Sequence, residues 1–146
     1  VIRVNDRQRE RMVSKIVETM GGDVSGRTIG VLGLSFKPET DDMRDAPSVD
    51  ILRALLERGA KIQAYDPAAM AHFEKILPQV RLVDGEYKAC EGADALVIVT
   101  EWNQFRMLDL ERVKACLRRP VVVDLRNVYE PAAMRAAGFT YACVGR

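Results

Sequence analysis

Short apolar runs alternate with amphipathic segments along this chain, and few folds accept that pattern. Residues 95–100 carry Leu-Val-Ile-Val at their centre, and residues 121–125 read Val-Val-Val-Asp-Leu. Runs of that length with apolar residues on both faces are strands of a sheet covered by helices on both sides. Residues 28–34, 61–65 and 139–143 read as further strands, and 80–83 as a short one. Between them lie helices. Residues 47–58 place Ile51, Leu52, Leu55 and Leu56 on one face and stop at Gly59. Asp66-Pro67 supplies a cap and a first turn for a helix running to Leu77. Residues 86–91, 109–118 and 131–137 complete the set. Strand and helix alternate throughout, which predicts an α/β fold: a doubly wound, mostly parallel, Rossmann-like sheet of five or six strands.

The chain opens differently. Residues 4–20 are strongly charged, with Met12, Val13, Ile16, Val17 and Met20 at helical spacing, and Gly21-Gly22 ends the pattern. No start signal precedes this helix, so residues 1–20 are expected to be the end of a longer one, with residues 21–146 forming the sheet domain. The first residue is not Met, which fits a piece of a longer protein. There is no leader-like apolar block and no run of membrane-spanning length. Lys and Arg number 22 against 21 Asp and Glu, a net charge of +1. That balance gives no global footprint for nucleic acid or a membrane surface, so any anion site must be local. Cys90, Cys116 and Cys143 have neither metal-ligand nor redox spacing and read as reduced thiols, which suits a cytoplasmic compartment.

The richest segment follows the first strand. Val31-Leu-Gly-Leu-Ser-Phe-Lys-Pro-Glu-Thr-Asp-Asp-Met-Arg-Asp-Ala-Pro-Ser48 leaves an apolar run, crosses a loop bearing Lys37 and Arg44, and enters a helix near Pro47. Such a strand-to-helix loop is where α/β folds hold anions. Two other strand ends carry unusual polarity: residues 100–106, with Glu101, Trp102 and Phe105, and residues 124–127, with Asp124 and Arg126. All three segments are expected along one edge of the sheet.

Lys37 and Arg126 suit phosphate oxygens, the first as a point charge and the second as a bidentate fork. The plainer alternative pairs them with Asp41, Asp42 or Glu130, or leaves them solvated, and three aspartates crowd Arg44 in the same way. Gly30 and Gly33 do not make the Gly-x-Gly-x-x-Gly fingerprint. Asp66 ends the second strand, where a ribose-binding carboxylate could sit, but it equally serves as a helix cap. Trp102 and Phe105 either stack on a base or pack beneath their loop. Nothing near His72 in the sequence suggests catalysis, no cysteine has an activating neighbour, and no metal site is visible. These residues suit binding and suggest no reaction.

The segment Gly33-Leu-Ser-Phe-Lys-Pro-Glu-Thr-Asp-Asp-Met-Arg-Asp-Ala-Pro-Ser48 resembles the C-terminal domain of the UDP-glucose/GDP-mannose dehydrogenase family. Ala64-Tyr-Asp-Pro67, Ala93-Asp-Ala-Leu-Val-Ile-Val-Thr-Glu-Trp102 and Val122-Val-Asp-Leu-Arg-Asn127 agree in order, so the likeness covers nearly the whole chain. The resemblance implies an enzyme that oxidises C6 of a nucleotide sugar to the carboxylate with NAD, through a cysteine on an earlier domain. It further implies an N-terminal NAD-binding domain, a central helical domain that makes a homodimer, and a C-terminal domain that holds the nucleotide end of a UDP-sugar. By the same resemblance Phe36 and Lys37 are substrate contacts, and Arg126 reaches the substrate from a second segment, across the dimer. Arg44 faces the NAD. Two departures are plain: Leu125 stands where relatives often have Gly, and neither a dinucleotide fingerprint nor a catalytic cysteine motif is present. A GDP-mannose or UDP-N-acetylsugar dehydrogenase domain, a nucleotide-sensing module and an interaction domain without a small ligand are the rival readings.

Overall fold

The computed structural model describes residues 2–35 and 46–144, with side chains from Arg7 onward. Its strands are β1 (Thr28–Leu32), β2 (Lys61–Tyr65), β3 (Arg81–Leu82), β4 (Ala95–Ile98), β5 (Val121–Asp124) and β6 (Thr140–Cys143). They form one six-stranded sheet in the order β3-β2-β1-β4-β5-β6, and every pairing is parallel. Val31 of β1 lies between Ala64 of β2 and Val97 of β4. The sequence expectation of a doubly wound sheet is met, at the upper of the two strand counts. Chain order reverses between β1 and β4, the position at which folds of this type bind ligands.

Helices cover both faces, as an all-parallel sheet requires. Alternation along each strand divides the core. Ile29, Val31, Ala95, Val97, Val121 and Val123 pack on one face, while Leu32, Leu96, Ile98 and Val122 pack on the other. The first face is closed by α1 (Ile2–Thr19), α2 (Pro47–Glu57) and α3 (Met70–Ile76). The second is closed by α4 (Glu86–Cys90), α5 (Leu110–Cys116) and α6 (Pro131–Ala136). Through Val13 and Ile16, with Met20 just past its end, α1 joins the same core as β5.

Local chemistry accounts for the element ends. Pro47 occupies the first turn of α2, where its missing N–H costs nothing, and Gly59 leaves the helix at φ +89°. Asp109 caps α5 by accepting from the Arg112 backbone N–H. Several ends fall one or two residues inside the expected bounds, and two features differ by more. Helix α3 begins at Met70, since Pro67 to Ala69 form a turn on Asp66 before the helix proper. A 3-10 helix over Asn103–Met107 was not expected, because five residues are too few to show a period.

Candidate functional site

Because all strands are parallel, the segments after β1, β4 and β5 leave the sheet along one edge. The backbone there is held tightly. Gly33 has φ +95°, and a Cβ on it would lie 2.5 Å from the Thr100 backbone N and Cβ, so only glycine fits. Thr100 Oγ1 then donates to the Ser35 carbonyl at 2.7 Å, and the Val99 N–H to the Leu32 carbonyl at 2.9 Å. Asp66, fully buried, takes five hydrogen bonds among the described residues. Its Oδ2 accepts from Leu34 N, Ser35 N and Ser35 Oγ, and its Oδ1 from Ala68 N and Ala69 N. Ser48 Oγ, at the start of α2, donates to the Leu34 carbonyl at 2.6 Å. The chain is thus fixed at Ser35 and again at Ser48.

The loops after β4 and β5 are strapped together. Arg126 Nε donates to Glu101 Oε2 at 2.8 Å, and its Nη2 is ion-paired with the same oxygen at 2.6 Å. Arg106 Nη1 donates to the Val128 carbonyl at 3.3 Å, and Tyr129 Oη donates to the Phe105 carbonyl. Asp124, fully buried, organises the turn that carries Arg126. Its Oδ1 accepts from Arg126 N and its Oδ2 from Tyr129 N and Tyr141 Oη. Asn127 adopts φ +54° and bonds Val144 through both its amide nitrogen and its oxygen, extending the sheet edge.

These contacts decide several of the alternatives. Asp66 is the helix-turn cap and also the fastener of the β1 loop, so its oxygens are spent. Gly33 is filled by Thr100, where a dinucleotide fold would admit a pyrophosphate. The described residues therefore form no dinucleotide cradle at this switch point. Trp102 and Phe105 are buried in the core of the second face and pack beneath their loop. Trp102 Nε1 has no hydrogen-bond partner among the described residues. Leu125 is also buried, in the core of the α1 face, so its bulk does not crowd the arginine beside it. Arg126 stands exposed at the edge, paired with Glu101 and not with the acidic residues nearer in sequence. Phe36, Lys37 and Arg44 lie outside the described residues.

Burial, with Cys116, Glu86 and Glu91 nearby, pushes the Cys90 thiol up to about 12, and burial likewise takes the Tyr129 phenol up to about 12. The three cysteines form no disulfide among the described residues. His72 is exposed on α3. Among the described residues there is no group of three or more metal-ligating side chains. No described helix is long and apolar enough to cross a membrane. Two open grooves flank α1, one against α2 and one beside Ala142 of β6; neither reaches the strand ends described above.

Fold and edge together define a doubly wound parallel-sheet domain, a class in which ligands sit beyond the carboxyl ends of the strands. The chain belongs to the UDP-glucose/GDP-mannose dehydrogenase family, whose UDP binding domain matches residues 30–131. It is 44% identical over 145 residues to UDP-glucose 6-dehydrogenase of Rhizobium meliloti, covering 99% of this chain and 33% of that protein. It is 45% identical over 148 residues to the enzyme of the same name from Pseudomonas aeruginosa, covering 97% of this chain and 33% of that one. Among solved structures, a UDP-glucose dehydrogenase from Pyrobaculum islandicum superposes with a TM-score of 0.78 at 34% identity, over 97% of this chain and 30% of the other. A UDP-D-ManNAc dehydrogenase from Pyrococcus horikoshii superposes with a TM-score of 0.80 at 28% identity, over 99% of this chain and 32% of the other. The chain spans about a third of the length of the curated relatives it matches. It corresponds to their C-terminal, UDP-binding part.

Proposed function

We propose that this chain is the substrate-binding domain of an NAD-dependent UDP-glucose 6-dehydrogenase, the enzyme that converts UDP-glucose to UDP-glucuronate. The observation that carries this reading is a rigidly mounted arginine, Arg126, at the same sheet edge as the anchored ends of the β1 loop. By the family resemblance, Phe36 and Lys37 are contacts for the nucleotide end of the sugar. Arg126 and Lys37 grip the diphosphate with charge-assisted hydrogen bonds. Arg44 faces the NAD, which is bound mainly by a preceding domain and supplies the hydride acceptor. The contribution of these residues is orientation: a fixed diphosphate brings C6 of the sugar to a cysteine nucleophile on another part of the protein. Holding reactants in register is worth several kcal/mol of barrier.

In this reading residues 1–20 are the end of a helix shared with a central dimer-forming domain, and residues 21–146 are the nucleotide-sugar-binding domain. The parent is a cytoplasmic homodimer, and its partner is the UDP-sugar, with no nucleic acid or membrane involved. Calorimetry with UDP, GDP and UDP-glucose tests the assignment. UDP is expected to bind, and Lys37→Ala or Arg126→Ala to weaken it by about tenfold, the worth of one charge-assisted contact. GDP binding tighter than UDP would move the assignment to a GDP-mannose dehydrogenase. A UDP-N-acetylsugar preferred over UDP-glucose would move it within the UDP-sugar enzymes. No binding of any nucleotide would overturn it in favour of an interaction domain. The 146-residue chain alone is expected to show no NAD reduction.

A further inference from the structure

Glu101 puts a negative charge on the edge that the proposed function assigns to a diphosphate, and the geometry explains why. Arg126 Nε donates to Glu101 Oε2, and Nη2 lies 2.6 Å from that same oxygen as the ion-pair contact. That engages one side of the guanidinium. The end-on side, Nη1 and the second hydrogen of Nη2, is a separate bidentate fork of the kind that fits phosphate. Among the described residues Nη1 has no partner.

An exposed ion pair ordinarily contributes little, because two long side chains must be ordered to make it. Here both partners are mounted on fixed backbone. Glu101 follows Thr100, whose hydroxyl is bonded to the Ser35 carbonyl. Arg126 rises from a turn whose N–H groups at Arg126 and Tyr129 are held by the buried Asp124, and the Leu125 N–H donates to the Ile98 carbonyl at 3.0 Å. The two side chains are partly covered, at 24% and 38% exposure, so less of their freedom is left to lose than for a fully solvated pair.

We propose that Glu101 is a positioning residue: it clasps one side of the Arg126 guanidinium and so presents the other to the phosphates of the substrate. This rests on the reading of Arg126 as a substrate contact. Two effects of opposite sign act at once. The carboxylate repels a diphosphate one guanidinium width away, which in screened water weakens binding by roughly twofold. Ordering the arginine in advance removes the cost of immobilising a rotamer-rich side chain on binding, worth up to roughly tenfold. Ordering wins, by roughly fivefold.

The test is UDP titration of four variants of the chain by calorimetry: Glu101→Ala, Glu101→Gln, Arg126→Ala and the Glu101→Ala/Arg126→Ala pair. Glu101→Ala is expected to weaken UDP about fivefold without lowering the thermal midpoint appreciably, since an exposed pair adds little stability. Glu101→Gln, which keeps an acceptor oxygen and loses the charge, is expected to stay within about twofold of the parent. In the Arg126→Ala background, Glu101→Ala is expected to cause no further loss. A carboxylate acting only through its charge would give tighter binding in both single Glu101 variants, and a merely structural one would lower the thermal midpoint. If Arg126→Ala weakens UDP while Glu101→Ala does not, the positioning role is overturned and Arg126 remains a ligand contact. If UDP fails to bind, or Arg126→Ala leaves its affinity unchanged, the substrate-contact reading falls and takes this one with it.

Discussion

Asp66→Ala is the perturbation that most sharply separates a structural carboxylate from a ligand-binding one. The native side chain is fully buried and accepts from Leu34 N at 2.7 Å, Ser35 N at 3.1 Å, Ala68 N at 2.8 Å and Ala69 N at 2.8 Å. Ala68 is exposed, so its N–H can turn to water. Leu34, Ser35 and Ala69 are buried, so three donors lose their only strong acceptor. Each orphaned buried donor costs about 1–3 kcal/mol, which puts the loss at no less than about 3 kcal/mol. Relief of carboxylate desolvation works in the other direction, but it is small where the charge is this well bonded. For a domain of this size such a loss lowers Tm by about 10 °C. Asp66→Asn should cost nearly as much, because its amide NH2 would face N–H donors on one side. Urea and thermal unfolding, followed by circular dichroism, read both variants. A Tm within about 2 °C of the parent would refute the reasoning and return Asp66 to the role of a free ribose-binding carboxylate.

Gly33→Ala forces a Cβ to 2.5 Å from Thr100 at φ +95°, and is expected to destabilise the domain by about 3 kcal/mol or more in urea titration; a loss under about 1 kcal/mol would contradict the packing seen there. A thiol reagent at pH 8 is expected to label the half-buried Cys116 in the folded chain while sparing Cys90 and Cys143, with all three reacting in denaturant; peptide mapping that finds Cys90 modified first would sink this. Cys90 and Tyr129 stay neutral in the fold up to about 12, against ordinary values of 9.0 and 10.0. The unfolded chain releases those protons first, so stability is full below pH 9 and falls progressively between pH 9 and about 12. Unfolding free energies unchanged from pH 8 to pH 11 would contradict that sign.

What the residues reveal by themselves follows from how local each cause is. The strands of β4 and β5 announced themselves because a sheet covered on both sides leaves no polar register, and α2 because Pro47 and Gly59 mark its ends. The packing of Trp102 and Phe105 beneath their loop was also legible, as aromatics after a strand more often fill space than stack on ligands. Partners distant in sequence were not legible. Asp66 reads as a cap for the residues after it, yet half of its work lies 31 and 32 residues away, at Ser35 and Leu34. Arg126 has acidic neighbours in sequence, but Glu101, 25 residues earlier, is the one the parallel register brings alongside. The fixing of the β5 turn by Asp124 was invisible for the same reason, since Tyr141 reaches it from the neighbouring strand. The sequence did show that Gly33 belongs to no dinucleotide fingerprint, but not that a threonine fills the space a cofactor would need.

The central claim is that a diphosphate is held where β1, β4 and β5 end. Amide chemical-shift mapping of the chain during titration with UDP addresses it directly. Shifts concentrated at Ser35, Thr100, Glu101, Arg126 and Asn127, with Thr28, Ala60 and Asp94 at the opposite end of the sheet unmoved, are the expected result. Saturable shifts confined to that opposite end, or to the grooves beside α1, would contradict it.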